Sequence, residues 1–215
     1  MRVLQGCLSM SLRRVGGRSD GGIDLQGWWW LPTDEASLES DIRGHRRLRI
    51  LAQCKAEAKK LSPKYIREME GVLHRHMAAP SLSGVDITSA GAISTSAIVG
   101  LMISSSPFSK LAALHAHSSP LPFILLHIPE RGPKDIREHK PEDVDIPVDE
   151  NAPSIETPGS IVLNPALVGK NGVLRGQFEA RWEYQAQAPG EGRLGLWWKG
   201  TRVQSWTPES EATDV

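Results

Sequence analysis

Asp24, Gln53 and Lys55 are the residues of this chain whose types and order could act on a charged ester. The Asp24 carboxylate, the Gln53 amide oxygen and the backbone carbonyl of Cys54 are hard oxygen donors, the kind Mg²⁺ accepts alongside several waters. A lysine beside them can orient or deprotonate an attacking water and offset negative charge on a phosphorane-like transition state. Lys59, Lys60, Lys64 and Arg67 follow closely and would supply contacts to a phosphate backbone. Each has a plainer alternative: Asp24 as turn punctuation, Gln53 as a sheet-edge amide, Lys55 as a solubilising strand end. Asp20, beside Gly21 and Gly22, reads as a turn former.

For this chemistry to assemble, two strands must lie side by side. Residues 23–31 read as a strand entered through the Asp20-Gly21-Gly22 turn, glycine permitting the positive φ such turns need. Residues 33–44 are polar and acidic, a hairpin connection. Residues 47–55 alternate and then turn apolar, a half-buried strand becoming a central one. Its alternation puts Gln53 and Lys55 on one face and points Cys54 into the core. Of Trp28, Trp29 and Trp30, the first and third share a face and the second takes the other. That predicts packing on both sides, with base stacking as the functional alternative.

Ser62-Pro63 is a helix start, and Ile66, Met69, Leu73 and Met77 follow as one apolar stripe with Lys64, Arg67 and Arg75 off it. Residues 78–96 are rich in Ser, Gly, Ala and Pro and read as an insertion. Buried strands at 97–103 and 121–128, separated by a helix at 107–117, predict an α/β layer with parallel neighbours. An acidic, proline-punctuated linker spans 129–158. Strands at 160–167, 173–184 and 193–206 then form a small β-meander against the main sheet.

The formal net charge is zero, yet residues 43–75 carry ten Lys/Arg against three acids, while 130–156 carry nine acids against four bases. The basic stretch is either a solvated helix face or a footprint for phosphates. Two cysteines make no disulfide framework, and no apolar run approaches the roughly 20 residues of a membrane span. Residues 1–19 hold four arginines, three serines and no acid, the composition of a mitochondrial transit peptide. That reading competes with the run of residues 12–17 directly into the Asp-Gly-Gly motif. Glu68 and Glu70 read as surface partners of Lys64 and Arg67; His74, His76, His115 and His117, two apart in pairs on helices, read as structural or surface groups.

The motifs G-G-R-S-D-G-G-I-D-L-Q-G, I-L-A-Q-C-K and S-P-K-Y-I-R-E-M-E-G-V-L, in that order, resemble the Mrr-type restriction-endonuclease-like family, a branch of the PD-(D/E)XK nucleases. That family's later apolar strand, ending in Ser/Thr before a short helix, is matched by G-L-M-I-S-S-S-P-F-S at residues 100–109. More narrowly, R-V-G-G-R-S-D-G-G-I-D-L-Q-G-W-W and G-L-W-W-K-G-T-R-V-Q-S-W-T-P look like a fungal mitochondrial subgroup named "required for respiratory growth".

The resemblance covers residues 12–128, and its subgroup form extends towards Pro208. It implies a mixed sheet flanked by helices over residues 1–128, the linker 129–158, a β-rich extension over 159–208 and a tail at 209–215. It implies Mg²⁺-dependent cleavage of DNA in mitochondria, with Asp24 on the metal, Gln53 at the usual acid position and Lys55 as the catalytic lysine. DNA is the implied partner; the sequence leaves the oligomeric state open, a dimer included. Two departures qualify this. The first helix of the family, with its Phe-Glu pair, has no counterpart, so the domain is expected to be truncated at its start. Gln53 is neutral and leaves one carboxylate, so a nuclease fold kept for DNA binding or assembly is the competing expectation.

Overall fold

A computed structural model describes residues 2–15, 21–32, 45–78, 97–129, 158–184 and 192–208. Asp20, the connection 33–44, the insertion from 79, most of the acidic linker and the tail lie outside the described residues.

The chain opens with helix α1 (Arg2–Leu8) and strand β1 (Met10–Arg14), followed by β2 (Leu25–Pro32), β3 (His45–Lys55), helix α2 (Pro63–Ala78), β4 (Ile98–Ser104), helix α3 (Lys110–Ser118) and β5 (Phe123–His127). Then come β6 (Ser160–Leu163), the single turn α4 (Pro165–Val168), β7 (Phe178–Tyr184), β8 (Gly192–Trp198) and β9 (Thr201–Val203). The first six strands form one sheet in sequence order, antiparallel from β1 to β3, parallel from β3 to β5 and antiparallel again at β6. Strands β7 to β9 form a separate antiparallel meander. The protein is thus a mixed α/β fold with a six-stranded mixed sheet flanked by helices, and the stretch expected to open the C-terminal extension supplies that sheet's last strand.

The central strands of the large sheet are buried on both faces, and the alternation along β3 assigns the sides. Leu48, Ile50 and Ala52 join a core with Trp29, Phe178, Leu194, Leu196 and Trp198, where the meander covers the sheet. Leu51 joins the opposite core with Ile66, Met69, Leu73, Ala112 and Phe123, beneath α2 and α3. Trp29 meets Phe178 edge to face at 5.0 Å, and Trp30 meets Trp206 at 5.6 Å while its indole N–H donates to Ser11 Oγ at 2.8 Å. The tryptophan run therefore packs on both faces, as its alternation predicts. Gly27 makes the β1–β2 contact possible, because a Cβ there would lie 2.0 Å from the Ser11 carbonyl oxygen.

Several expectations are corrected. Met77 is 55% exposed, because the buried stripe Ile66–Met69–Leu73 steps next to the half-buried His76. Each fully buried member stabilises by about 1.5–3 kcal/mol, and the more exposed Met77 contributes less. The strand expected to run to residue 167 stops at Leu163. Asn164 caps the next turn by accepting from the Leu167 N–H, and Pro165 takes its first position. Residues 173–176 form a turn with Arg175 and Gly176 at positive φ, so β7 begins only at Phe178. Lys199 and Gly200, also at positive φ, split the last expected strand into β8 and β9. A short helix precedes β1 where the sequence predicted none, and Leu4 and Leu8 pin it to the meander-side core. Cys54, expected in the core, is exposed. The register of β2 on β3 ends at Leu25 opposite Ala52, so β3 outruns its neighbour before residue 54.

Candidate active site at the carboxyl ends of the parallel strands

Strands β3, β4 and β5 run parallel, and their carboxyl ends bring Lys55, Ser104 and His127 to one edge of the sheet. In α/β sheets ligands lie outside the carboxyl ends of the parallel strands, although here the strand order does not reverse and α2 and α3 cover the same face. The loops beyond are tied together. Ser105 N–H donates to the Lys55 carbonyl at 3.1 Å, Ser106 Oγ donates to the Glu57 carbonyl, and His127 Nε2 lies 3.2 Å from the Ser105 carbonyl. Leu61 and Phe108 form a parallel bridge that joins the start of α2 to the loop before α3.

Asp24 reaches this edge from the antiparallel side. Gly21 and Gly22 have φ of +65° and +87°, as the turn reading predicts. Arg75, from the last turn of α2, holds that turn by donating to the Gly21 carbonyl at 2.6 Å. The Asp24 N–H donates to the Ala52 carbonyl at 2.9 Å and its own carbonyl accepts from Val15 N–H at 3.0 Å. Its side chain then accepts from the Cys54 N–H through Oδ2 at 2.7 Å. The carboxylate is thereby fastened to the peptide that joins Gln53 to Cys54. Although Cys54 reaches the surface, the atoms packed around its sulfur desolvate it and raise the thiol pKa, and the neighbouring Asp24 charge adds to the rise.

Gln53 is half-buried on the α2 side, where a Cβ on Gly22 would stand 3.7 Å from its Nε2. Its Oε1 is buried and has no hydrogen-bond partner among the described residues. An orphaned amide oxygen is costly to bury, and one beside an aspartate fits a hard cation as its missing partner. The donor set is nonetheless thin: among the described residues no three His, Cys, Asp or Glu side chains group to hold a metal. Asp24, Gln53 and the Cys54 carbonyl are oxygen donors of the type a hard cation takes, too few by themselves to hold one tightly.

Lys55 is half-buried, with its ammonium 5.3 Å from the centre of the Tyr65 ring. Lys64 approaches the same ring at 5.9 Å, and the Tyr65 hydroxyl donates to Glu57 Oε1 at 2.5 Å, which raises the Tyr65 pKa. Tyr65 and Glu57 are residues the sequence reading missed; Tyr65 lies one residue before the apolar stripe of α2, which was the available signal. Lys59, Lys60, Lys64 and Arg67 are all exposed, and Lys64 also pairs with Glu68 at 3.7 Å. Glu70 does not join that surface pairing. It ties α2 to α3 instead, with Oε2 3.1 Å from His115 Nε2 and Oε1 accepting from Ser119 Oγ at 2.6 Å.

The family model for Required for respiratory growth protein 7 matches residues 1–143 of the chain. The chain belongs to this family. A relative in Vanderwaltozyma polyspora, Required for respiratory growth protein 7, mitochondrial, is 31% identical, over 38% of this chain and 45% of the relative. The chain thus spans less than half of that relative's length. As a member of the family it is a mitochondrial protein with a role in respiratory growth. Among solved structures, the MspJI restriction endonuclease in complex with a 27-mer oligonucleotide matches 55% of this chain and 20% of its own, at 16% identity and a TM-score of 0.31. No helix among the described residues is long and apolar enough to cross a membrane.

Proposed function

We propose that this respiratory-growth protein hydrolyses DNA phosphodiesters, with Asp24, Gln53 and Lys55 at its active site. The observation that carries the reading is the Asp24 carboxylate fastened to the Gln53–Cys54 peptide, beside the orphaned Gln53 oxygen and one residue from Lys55. Asp24, Gln53 Oε1 and the Cys54 carbonyl would hold Mg²⁺, which when bound supplies positive charge to a phosphate oxygen. Lys55 orients the attacking water and offsets charge on the phosphate as it becomes five-coordinate. The Tyr65 ring steadies the Lys55 ammonium, a contact worth about 0.5–1 kcal/mol at an exposed site. Lys59, Lys60, Lys64 and Arg67 hold the flanking backbone.

Relaxation of a supercoiled plasmid in Mg²⁺ tests this. Nicking by the native protein is expected to fall at least about a hundredfold in both Asp24→Ala and Lys55→Ala, the scale for losing one electrostatic group of an active site. Equal nicking by all three proteins would sink the mechanism.

The single carboxylate favours a second reading, in which the fold binds mitochondrial DNA without cutting it. Salt-sensitive DNA binding with no nicking in Mg²⁺ or Mn²⁺ supports that reading, and absence of any DNA affinity points to a role in assembly.

A further inference from the structure

The antiparallel half of the large sheet carries a second concentration of positive charge, away from Lys55. Cross-strand pairing sets Arg13 opposite Gln26 and Trp28 opposite Arg49, so these four side chains share one face. The Arg47 and Arg49 guanidinium carbons stand 4.2 and 5.2 Å from the centre of the Trp28 ring, and Arg49 Nη2 donates to Gln26 Oε1 at 2.8 Å. Arg13 is exposed, and Trp28 and Arg49 are half-exposed. Among the described residues no carboxylate pairs with Arg13 or Arg49. Burial lowers the Arg49 pKa, and the charges of Arg13 and Arg47 lower it further, a sign of how closely the cations are set.

Like charges gathered on a sheet face repel, and here an indole face and an amide oxygen hold Arg49 in place against that repulsion. A guanidinium has five N–H donors, and Arg49 spends one of them on Gln26, leaving the rest of a rigid fork for a phosphate. Arg49 and Lys55 lie on the same face of β3, six residues apart, which is about 20 Å of strand or about six base pairs of duplex. Leu51, between them on that face, is buried beneath α2, so the ligand that meets both places is a polyanion long enough to pass over that helix, and this favours a nucleic acid over an anionic membrane surface.

We propose that Arg13 and Arg49, with Arg49 braced on Trp28, form a second phosphate-binding surface for the sugar–phosphate backbone of DNA that flanks the Lys55 edge. The inference rests on the reading of the Lys55 edge as a DNA site. Fluorescence anisotropy of labelled DNA on the full chain separates the two, using a hairpin stem of about 4 base pairs, too short to span the distance, and a duplex of about 24, which reaches both surfaces. The double variant Arg13→Gln/Arg49→Gln is expected to lose at least about tenfold in affinity for the long duplex. Its slope of log affinity against log salt should shrink by about 2, with binding of the stem and the thermal midpoint as in the native protein. Arg13→Lys/Arg49→Lys should restore the slope.

Long-duplex affinity and salt slope unchanged in the Gln variant would overturn the second surface while leaving the Lys55 site standing. Failure of the native protein to bind either probe would overturn both. Binding of the native protein, but not the Gln variant, to anionic phospholipid vesicles with no difference on DNA would reassign the surface to membranes and overturn the proposal.

Discussion

The Asp24 carboxylate accepts a 2.7 Å hydrogen bond from the backbone N–H of Cys54, thirty residues away on the next strand. This bond locks the start of β2 to the end of β3 and decides where the Asp24 carboxylate stands. It also places a negative charge beside the Cys54 thiol, whose pKa is raised by burial first and by Asp24 second.

That adjacency predicts a pH effect. With the thiol pKa raised above its usual value, Cys54 stays protonated at neutral pH and alkylates slowly despite its exposure. Asp24→Asn keeps an oxygen for the Cys54 N–H and removes the charge. In a Cys7→Ser background, alkylation of Cys54 should then quicken at pH 8, and its rate-against-pH curve should move to lower pH. Superimposable curves for the two proteins would show that the Asp24 charge is not beside the sulfur.

Asn164 predicts a large stability effect. Fully buried, it accepts from Phe123 N–H at 2.9 Å and Leu167 N–H at 3.1 Å. It donates to the Ala116 carbonyl at 2.9 Å and the Leu121 carbonyl at 2.7 Å. Asn164→Ala strands several buried backbone groups and should cost about 3–5 kcal/mol. Urea unfolding would register this as a lower midpoint at unchanged slope; a loss below about 1 kcal/mol would contradict the hub.

Gly27 predicts a local effect. A methyl group 2.0 Å from the Ser11 carbonyl meets backbone, which has no flexible end to swing aside. Gly27→Ala should part β1 from β2, at a cost of at least about 2–3 kcal/mol. Hydrogen exchange should quicken in β1 (Met10–Arg14) well before it does in β4 and β5. Native protection of the β1 amides in the variant would refute the contact.

What was legible in the sequence was legible for a physical reason. Strand β3 and helix α2 carry strong periodicities, so the shared face of Gln53 and Lys55 and the buried Ile66, Met69 and Leu73 followed from pattern alone. The turn at Gly21 and Gly22 followed from glycine chemistry. The direction of Cys54 did not, because alternation says which face a side chain takes and not whether a neighbouring strand reaches far enough to cover it. Glu70 looked like a surface partner of α2's own cations, yet it meets His115 and Ser119 across the α2–α3 interface, a tertiary choice that helix spacing does not encode. Asn164-Pro165 did hold a readable signal. An asparagine before a proline favours a turn start, and here it ends the strand and caps α4.

The Mg²⁺ dependence of plasmid nicking by the native protein and by Gln53→Glu tests the central claim most directly. If Asp24 and the orphaned Gln53 oxygen are donors to one ion, a second carboxylate in place of that amide raises affinity for the ion. The Mg²⁺ concentration for half-maximal nicking should then fall by about tenfold or more in Gln53→Glu. The same Mg²⁺ midpoint in both proteins, or nicking that is indifferent to Mg²⁺, would contradict the account.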